Sequence, residues 1–322
     1  MKEVFVMAGR LTKVKKAAPA SYELALEQFL IWKKAQGISE QTMKDYREHV
    51  NRFFRRYPEA SKPWDAEALE KSAYDYLGED GIKPATYNNR LVYLSTFFNW
   101  CADKEMIDDN PLLNFKKRKA EGRIVNLDEN VIRELLMSPD TSTYTGLRDQ
   151  ALMLFFLDTG IRPKEAFALL ESDFNIRALE VEVRQETAKT KASRTLHYSP
   201  ETAKVISELL SVRPEEWGES VPIFCTYEGK ALNRHTWGDR IEFYCKKLGT
   251  HIVPYDLRHS FAILFLRQGG NALALQRMLG HVTLEMTKRY VALTNNDLKN
   301  QHTMASPIKR LLPSKKRMVK LK

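Results

Sequence analysis

Cysteine is scarce in this 322-residue chain, and the little there is excludes two classes of protein. Cys101, Cys225 and Cys245 are odd in number and form no CxxC. A closed disulfide framework and a cysteine zinc site are therefore not expected, and free thiols in a reducing compartment are. No set of His, Cys and carboxylate residues has the spacing of metal ligands, so neither a metal nor another cofactor is expected. Long apolar runs are also missing. Residues 4–7 are too few for a signal peptide, and 151–157 and 261–266 cannot span a bilayer. The expectation is a cytoplasmic protein without a membrane partner. There is no internal repeat, and no low-complexity tract apart from the Lys-rich tail.

The body of the chain also lacks net positive charge, although the whole carries +10. Residues 1–20 hold +4 and residues 309–322 hold +7, which leaves 21–308 at −1. If the body binds a polyanion, it must do so with local patches. Two exist. Residues 44–56 carry five cations against two acids, and 116–123 carry five against one. Clusters of this kind suit nucleic acid; the alternatives are a solvated helix face for the first and a solvated linker for the second, and for the second the two readings weigh equally.

What is present in quantity is helical pattern. A hydrophobic fraction of 43% and a charged fraction of 29% fit a globular protein with about two domains' worth of chain. Ser21 can cap a first helix that Gly37 closes, and Ser39 can cap a second that Pro58 ends. The second carries Met43, Tyr46, Val50, Phe53 and Tyr57 at helical spacing, with Lys44, Arg47, Arg52 and Arg55 on the opposite face. A third helix fits 65–77. Pro84 opens a fourth, near whose start Asn88 and Arg90 are placed as donors to phosphate or base edges. The aromatic stripes of these helices read as core. Asn110-Pro111 stops the bundle, and Lys117 lies in the basic segment that follows.

The second half reads as mixed α/β. A helix from Asp128 is followed by an apolar helix over 145–158, closed by Gly160. Pro163 opens another helix, so Arg162 falls in the turn before it, where its fork can point into a cleft. Glu165, three residues on, can orient it, and Lys164 lies between them. Residues 179–184 alternate as a strand, and 194–198 can pair back in antiparallel fashion. The turn between them carries Lys189 and Lys191, each able to reach a phosphate or simply to be solvated. Ser199-Pro200, Asn233 and Pro254 open further helices.

The Pro254 segment concentrates the chemistry. Residues 253–262 read VPYDLRHSFA, Gly280-His281 breaks the chain after Leu279, and Tyr290 follows nine positions later. Short helices folding back here would gather a guanidinium, an imidazole and a phenol. Arginine binds a phosphate bidentately, and a phenol needs cations and a proton acceptor beside it to become a nucleophile. Each residue also has a structural alternative. Arg258 could be a surface ion-pair partner, His281 a helix-end cap and Tyr290 a core aromatic.

Taken together, TGIRPKE at 159–165, Lys189-Thr190, DLRHSFA at 256–262, LQRMLGH at 275–281 and TKRY at 287–290 resemble the tyrosine recombinase (phage integrase) family. The resemblance implies a mainly α (α+β) fold. A four-helix, SAM-like core-binding domain over 21–115 would precede a catalytic domain over 124–300 with a small antiparallel sheet. Between and around them lie an extension at 1–20, a linker at 116–123 and a tail at 301–322. It implies a DNA strand-exchange enzyme that forms a 3′-phosphotyrosyl bond without a metal, as a homotetramer on two DNA duplexes with specific sites. By position, Tyr290 is the nucleophile, Arg162 and Arg258 hold the scissile phosphate, Lys189 protonates the leaving oxygen and His281 hydrogen-bonds the phosphate. Residues 297–308 would dock on a neighbouring protomer, with Leu298, Met304 and Ile308 as anchors, while 309–322 would be a cationic tail that adds only non-specific DNA affinity.

One position departs from the family. Where it usually has a histidine, three residues before the second arginine, this chain has Tyr255. Tyr255 stays among the expected catalytic residues because a phenol can donate or accept a hydrogen bond, but it is a poor base near neutral pH, so water, the substrate phosphate or His281 could take the proton of Tyr290. No separate arm-type domain stands before residue 21, unlike in the larger phage integrases. A mobile-element integrase or transposase is the main expectation. A Xer-like chromosome or plasmid resolvase and a degenerate DNA-binding member are alternatives, as is a type IB topoisomerase, which uses a related constellation.

Overall fold

A computed structural model describes residues 21–61, 65–120, 127–188, 192–291, 299 and 302–311. Two compact units divide the chain, 1–121 and 122–322.

In the first unit, Ser21 accepts from the amide of Leu24 and starts α1 (Tyr22–Ala35), and Ser39 does the same for α2 (Glu40–Arg56). Asp65 caps α3 (Ala66–Leu77), and Pro84 sits in the first turn of α4 (Pro84–Asp103), where its missing N–H costs nothing. The stripes that repeat every three to four residues meet in one aromatic core. Phe29 stands edge-on to Phe97 at 5.4 Å between ring centroids, and Phe53 to Tyr76 at 5.6 Å. Such edge-to-face pairs add about 0.5–1.5 kcal/mol each beyond the area they bury.

The second unit is built around α6 (Tyr144–Thr159), which Thr143 caps and whose Leu152, Phe155 and Phe156 are fully buried. It follows α5 (Glu129–Met137) and packs against α8 (Pro200–Ser211) and α10 (Pro254–Arg267). A single turn, α7 (Pro163–Ala166), leads to a three-stranded antiparallel sheet of β1 (Phe174–Asn175), β2 (Glu180–Val183) and β3 (Arg194–His197), in that order. The first strand was not anticipated, because two residues give no alternation to read. Val181 faces Leu196 across β2 and β3, and both are buried, as period-two patterning requires. Then come α9 (Arg234–Leu248), α11 (Ala272–Leu279), α12 (Leu284–Lys288) and a helical turn at Ile308–Leu311.

All three cysteines are free and buried. No described helix is long and apolar enough to cross a membrane. Among the described residues, no group of three or more His, Cys, Asp or Glu could hold a metal ion. Of the expected tail anchors, Met304 and Ile308 are exposed, and Leu298 lies outside the described residues.

Candidate active site

Gly160 ends α6 in the left-handed conformation at φ 61°. A Cβ there would stand 2.3 Å from Phe261 Cδ1, so only glycine lets the chain turn this close to α10. The turn delivers Arg162 to the N-cap position of α7. Glu165 accepts from both the backbone N of Arg162 (3.3 Å) and its Nη1 (3.0 Å), as the three-residue spacing suggested. Glu165 also takes the fork of Arg194, at 2.6 Å and 3.3 Å. Its carboxylate is 1% exposed. Burial pushes its pKa up, but the hydrogen bond and charge of Arg194, with those of Arg162, outweigh this and hold it below the usual carboxylate range.

A second glycine organises the other side. Gly280 ends α11 at φ 60°, and a Cβ there would lie 3.2 Å from Arg162 Nη1 and 3.3 Å from the Arg194 guanidinium. Arg162 Nη2 donates to Gly280 O at 2.7 Å, and Arg194 Nε to Met278 O at 3.1 Å. The end of α11 is thus pinned between two guanidinium groups.

Arg258 comes from the second turn of α10 and is fully buried, which removes the surface ion-pair alternative. It donates to the carbonyls of Gly160 and Leu279, and its Nη2 lies 3.2 Å from His281 Nε2. Its Nε is buried without a hydrogen-bond partner. Burial pulls its pKa down to about 10, helped by the charge of Arg162. A buried cation whose own contacts are neutral oxygens and a nitrogen is an incomplete arrangement, and an anion would complete it.

His281 follows Gly280 and is half-buried. Burial, then the charges of Arg258, Arg162, Arg289 and Arg194, push its pKa down to about 4. Being neutral near pH 7, it accepts from Arg258 at Nε2, and its Nδ1 donates to Thr287 Oγ1 at 2.8 Å. Tyr290 ends the segment, with its ring parallel to that of His281 at 6.4 Å. Burial raises the phenol's pKa, and the Arg258 charge opposes this. The Tyr290 hydroxyl lies 2.7 Å from Nδ1 of His259.

Four of the six expected catalytic residues, Arg162, Arg258, His281 and Tyr290, therefore converge. Tyr255 stands at the edge, 43% exposed, with its ring edge-on to that of His259 at 5.1 Å. Lys189 and Lys191 lie outside the described residues. The site also contains Arg194 and His259, which were not singled out from the sequence. Arg194 opens a short strand and gives no local signal. His259 was hidden by its neighbour Arg258, because the motif drew attention to position 255.

The expected DNA contacts divide by environment. Lys44, Arg47, Arg52, Arg55, Lys117 and Lys164 are exposed. Arg47 is paired with Glu27, and Arg52 and Arg55 share Glu48. Arg90 is turned inward, donating to Tyr76 O at 2.7 Å and pairing with Glu79, with its guanidinium 4.0 Å from the centre of the Tyr76 ring. Asn88 exchanges two 2.8 Å hydrogen bonds with the backbone of Arg118. Both side chains hold the first unit together.

Comparison with known proteins follows this geometry. Residues 125–297 match the phage integrase family. Tyrosine recombinase XerD of Listeria monocytogenes is 28% identical over 290 residues, covering 84% of this chain and 94% of that protein. XerC of Pelotomaculum thermopropionicum is 28% identical over 242 residues, covering 72% of this chain and 78% of its own. Two solved structures share the fold. The Tn1549 transposon integrase in complex with a circular intermediate DNA has a TM-score of 0.69 at 18% identity, covering 87% of this chain and 99% of that one. The XerH site-specific recombinase bound to difH substrate has a TM-score of 0.64 at 20% identity, covering 87% and 83%. With the family match spanning more than half its length, this chain belongs to the phage integrase family of tyrosine recombinases.

Proposed function

We propose that this protein is a site-specific DNA recombinase that cleaves and rejoins strands through a 3′-phosphotyrosyl bond at Tyr290. The supporting observation is a half-buried phenol beside a fully buried guanidinium that makes no ion pair with a carboxylate among the described residues. A phosphodiester gains negative charge on its non-bridging oxygens as the phenolate attacks. Arg258 and Arg162 are preorganised donors for those oxygens. His281, to which the family resemblance gives a hydrogen bond to the phosphate, would donate it from Nε2 in the other tautomer, with Nδ1 then accepting from the Thr287 hydroxyl. Fixed cations of this kind do the work a metal ion does elsewhere. Lys189 is assigned as the proton donor to the leaving 5′ oxygen on the family resemblance. The first unit, with Lys44, Arg52 and Arg55 exposed, and the basic 116–123 segment bind the duplex. Four protomers act on two duplexes, each with residues 297–308 docked on a neighbour.

The partner is DNA of defined sequence, and integration, excision or transposition of a mobile element is the reading preferred. The XerD relatives favour a second one, resolution of chromosomes or plasmids. The test is to incubate the protein with duplexes from a mobile element's ends and from chromosomal candidate sites, and to map any SDS-stable adduct. Tyr290→Phe should abolish the adduct and retain binding, and EDTA should not affect it. An adduct that persists in the phenylalanine variant refutes the assignment, as does chelator-sensitive cleavage. Relaxation of plasmids without any specific site would mean a type IB topoisomerase instead, and binding without cleavage a degenerate member.

A further inference from the structure

We infer that His259 is the proton acceptor for the Tyr290 hydroxyl, filling from one helical turn away the place left by the family's missing histidine. This rests on the strand-cleavage reading above and names a residue which that reading leaves unassigned.

The geometry supporting it is specific. His259 Nδ1 and the Tyr290 hydroxyl are 2.7 Å apart, within the range from which a general base takes a proton. Residues 255 and 259 are four apart on α10, so they share one face of the helix. The contact between the Tyr255 and His259 rings shows that they do. An imidazole at 259 is therefore presented to the same space that side chain 255 borders. Tyr255, with its phenol at the exposed edge, leaves that inner space to His259.

The competing acceptors are accounted for. Among the described residues, the groups facing Tyr290 besides His259 are Arg258 and Tyr255 from α10, Arg289 beside it, and His281 before α12. Neither arginine accepts a proton, and a neutral phenol such as Tyr255 is a poor base near neutral pH. His281 is an imidazole, but both of its nitrogens are engaged, one by Arg258 and the other by Thr287. His259 is the remaining base, and it already touches the reacting oxygen.

The step balances without a further reactant. With the imidazole proton on Nε2, Nδ1 presents its lone pair to the phenol. Tyr290 Oη attacks the phosphorus, the Oη–P bond forms and the P–O5′ bond breaks. The phenolic proton passes to Nδ1, giving an imidazolium, and the leaving oxygen takes a proton from the acid assigned to Lys189. On religation the 5′ hydroxyl gives its proton back to Lys189 and attacks the phosphorus, the P–O5′ bond forms as the Oη–P bond breaks, and the imidazolium returns its proton to the tyrosine oxygen.

The test uses the full chain and a DNA site at which the wild type forms its adduct at Tyr290. Single-turnover cleavage at saturating DNA is followed from pH 5.5 to 9 for wild type, His259→Gln and His259→Asn. General-base catalysis of this kind is worth about 100-fold or more. Both variants should lose about that much near pH 7 with unchanged DNA affinity, and should regain rate as rising pH ionises the phenol without help. Variants within about threefold of wild type, or equally impaired at every pH, overturn the proposal. A measurement on intact His259 guards against misfolded variants. In protein labelled with 15N-histidine, Tyr290→Phe should shift the His259 Nδ1 resonance towards that of a non-bonded nitrogen, and an unmoved resonance overturns the contact. Absence of any Tyr290 adduct in the wild type would instead refute the strand-cleavage reading.

Discussion

Two arginine clusters lie in the second unit, and they differ in how completely their charge is met. In the first, Asp149 is fully buried and accepts from Arg148 (3.0 and 2.6 Å), Arg240 (2.7 Å) and the Tyr244 hydroxyl (2.8 Å), while Arg148 Nη1 is closed off by Cys225 O. In the second, Glu165 serves Arg162 and Arg194, but among the described residues Arg258 hydrogen-bonds to carbonyls and His281 and to no carboxylate, with the Tyr255 ring 5.8 Å away. Both clusters are anchored by one carboxylate. The first carries two guanidinium groups, and its phenol, Tyr244, is tied to Asp149; the second carries three, and its phenol, Tyr290, stands beside His259 and His281 with no carboxylate bonded to it among the described residues. A buried arginine alone therefore says little about function. Buried cationic charge in excess of its carboxylate, next to a nucleophile, marks a place for an anion.

Removing one side chain from each cluster should do opposite things. Asp149→Ala leaves two guanidinium groups without their anion, and breaking a buried pair from one side costs about 3–5 kcal/mol. Denaturant unfolding should show that loss, with cleavage per folded molecule near wild type. Arg258→Ala should do the reverse. Removing one preorganised charge-stabilising donor costs about 100- to 1000-fold in rate, roughly 2.7–4 kcal/mol of transition-state stabilisation. Its effect on unfolding should be the smaller of the two, because a buried cation without a carboxylate contributes little to the free protein. Equal stability losses in the two variants would erase the distinction.

How far the sequence revealed this follows from the same contrast. The helices were legible because capping and periodicity are local. Ser21, Ser39, Asp65, Asp128 and Asn233 each accept from the amides that the pattern required. The Arg162–Glu165 pairing was legible too, since three residues of helix fix it. What was not legible depends on chain segments far apart in sequence. Arg194 reaches Glu165 across 29 positions, and Tyr290 reaches His259 across 31. Nothing local distinguishes Arg194 from any arginine at a strand end. Arg90 illustrates the opposite case. It sits among donors at the start of α4, but Glu79 and the Tyr76 ring draw it inward.

A smaller effect is expected at the hinge of the second cluster. Gly280→Ala would place a methyl within 3.2 Å of Arg162 Nη1 while holding a left-handed φ, at a conformational cost of about 1–2 kcal/mol. Its cleavage loss should exceed what the measured destabilisation explains, because the guanidinium groups must move. The same change at Gly249, also left-handed but with open space around its Cβ, should cost stability alone. Matching cleavage losses at the two glycines would show that the Gly280 contacts do not matter.

His281 gives a test by pH. Its pKa in the folded protein, about 4, lies below the value of about 6.5 expected when unfolded. As pH falls, the unfolded chain binds the proton first, so this residue's contribution to stability is lost progressively between about 6.5 and 4. An anion in the second cluster would offset the surrounding arginine charge. The His281 midpoint, followed by NMR, should therefore move up when DNA binds. A midpoint that stays put would mean that the excess charge is not facing the phosphate.

The smallest effects belong to the exposed cations of the first unit, and they set the lower bound of the comparison. Arg52 lies 2.9 Å from Glu48 one turn away, with both side chains about half exposed. Such an i,i+4 pair contributes only a few tenths of a kcal/mol, so Arg52→Ala should barely change unfolding. If Arg52 contacts a phosphate, its loss removes one released counterion. The slope of log affinity against log salt should then fall by about 0.9, whatever the DNA sequence. Lys44→Ala should act alike, and each should leave the cleavage rate at saturating DNA unchanged. Arg90→Ala is the control on the same unit. Its guanidinium serves Tyr76 and Glu79, so it should lower stability and leave the salt slope alone. A salt slope that falls for Arg90→Ala and not for Arg52→Ala would place the DNA face of this unit on α4 rather than α2.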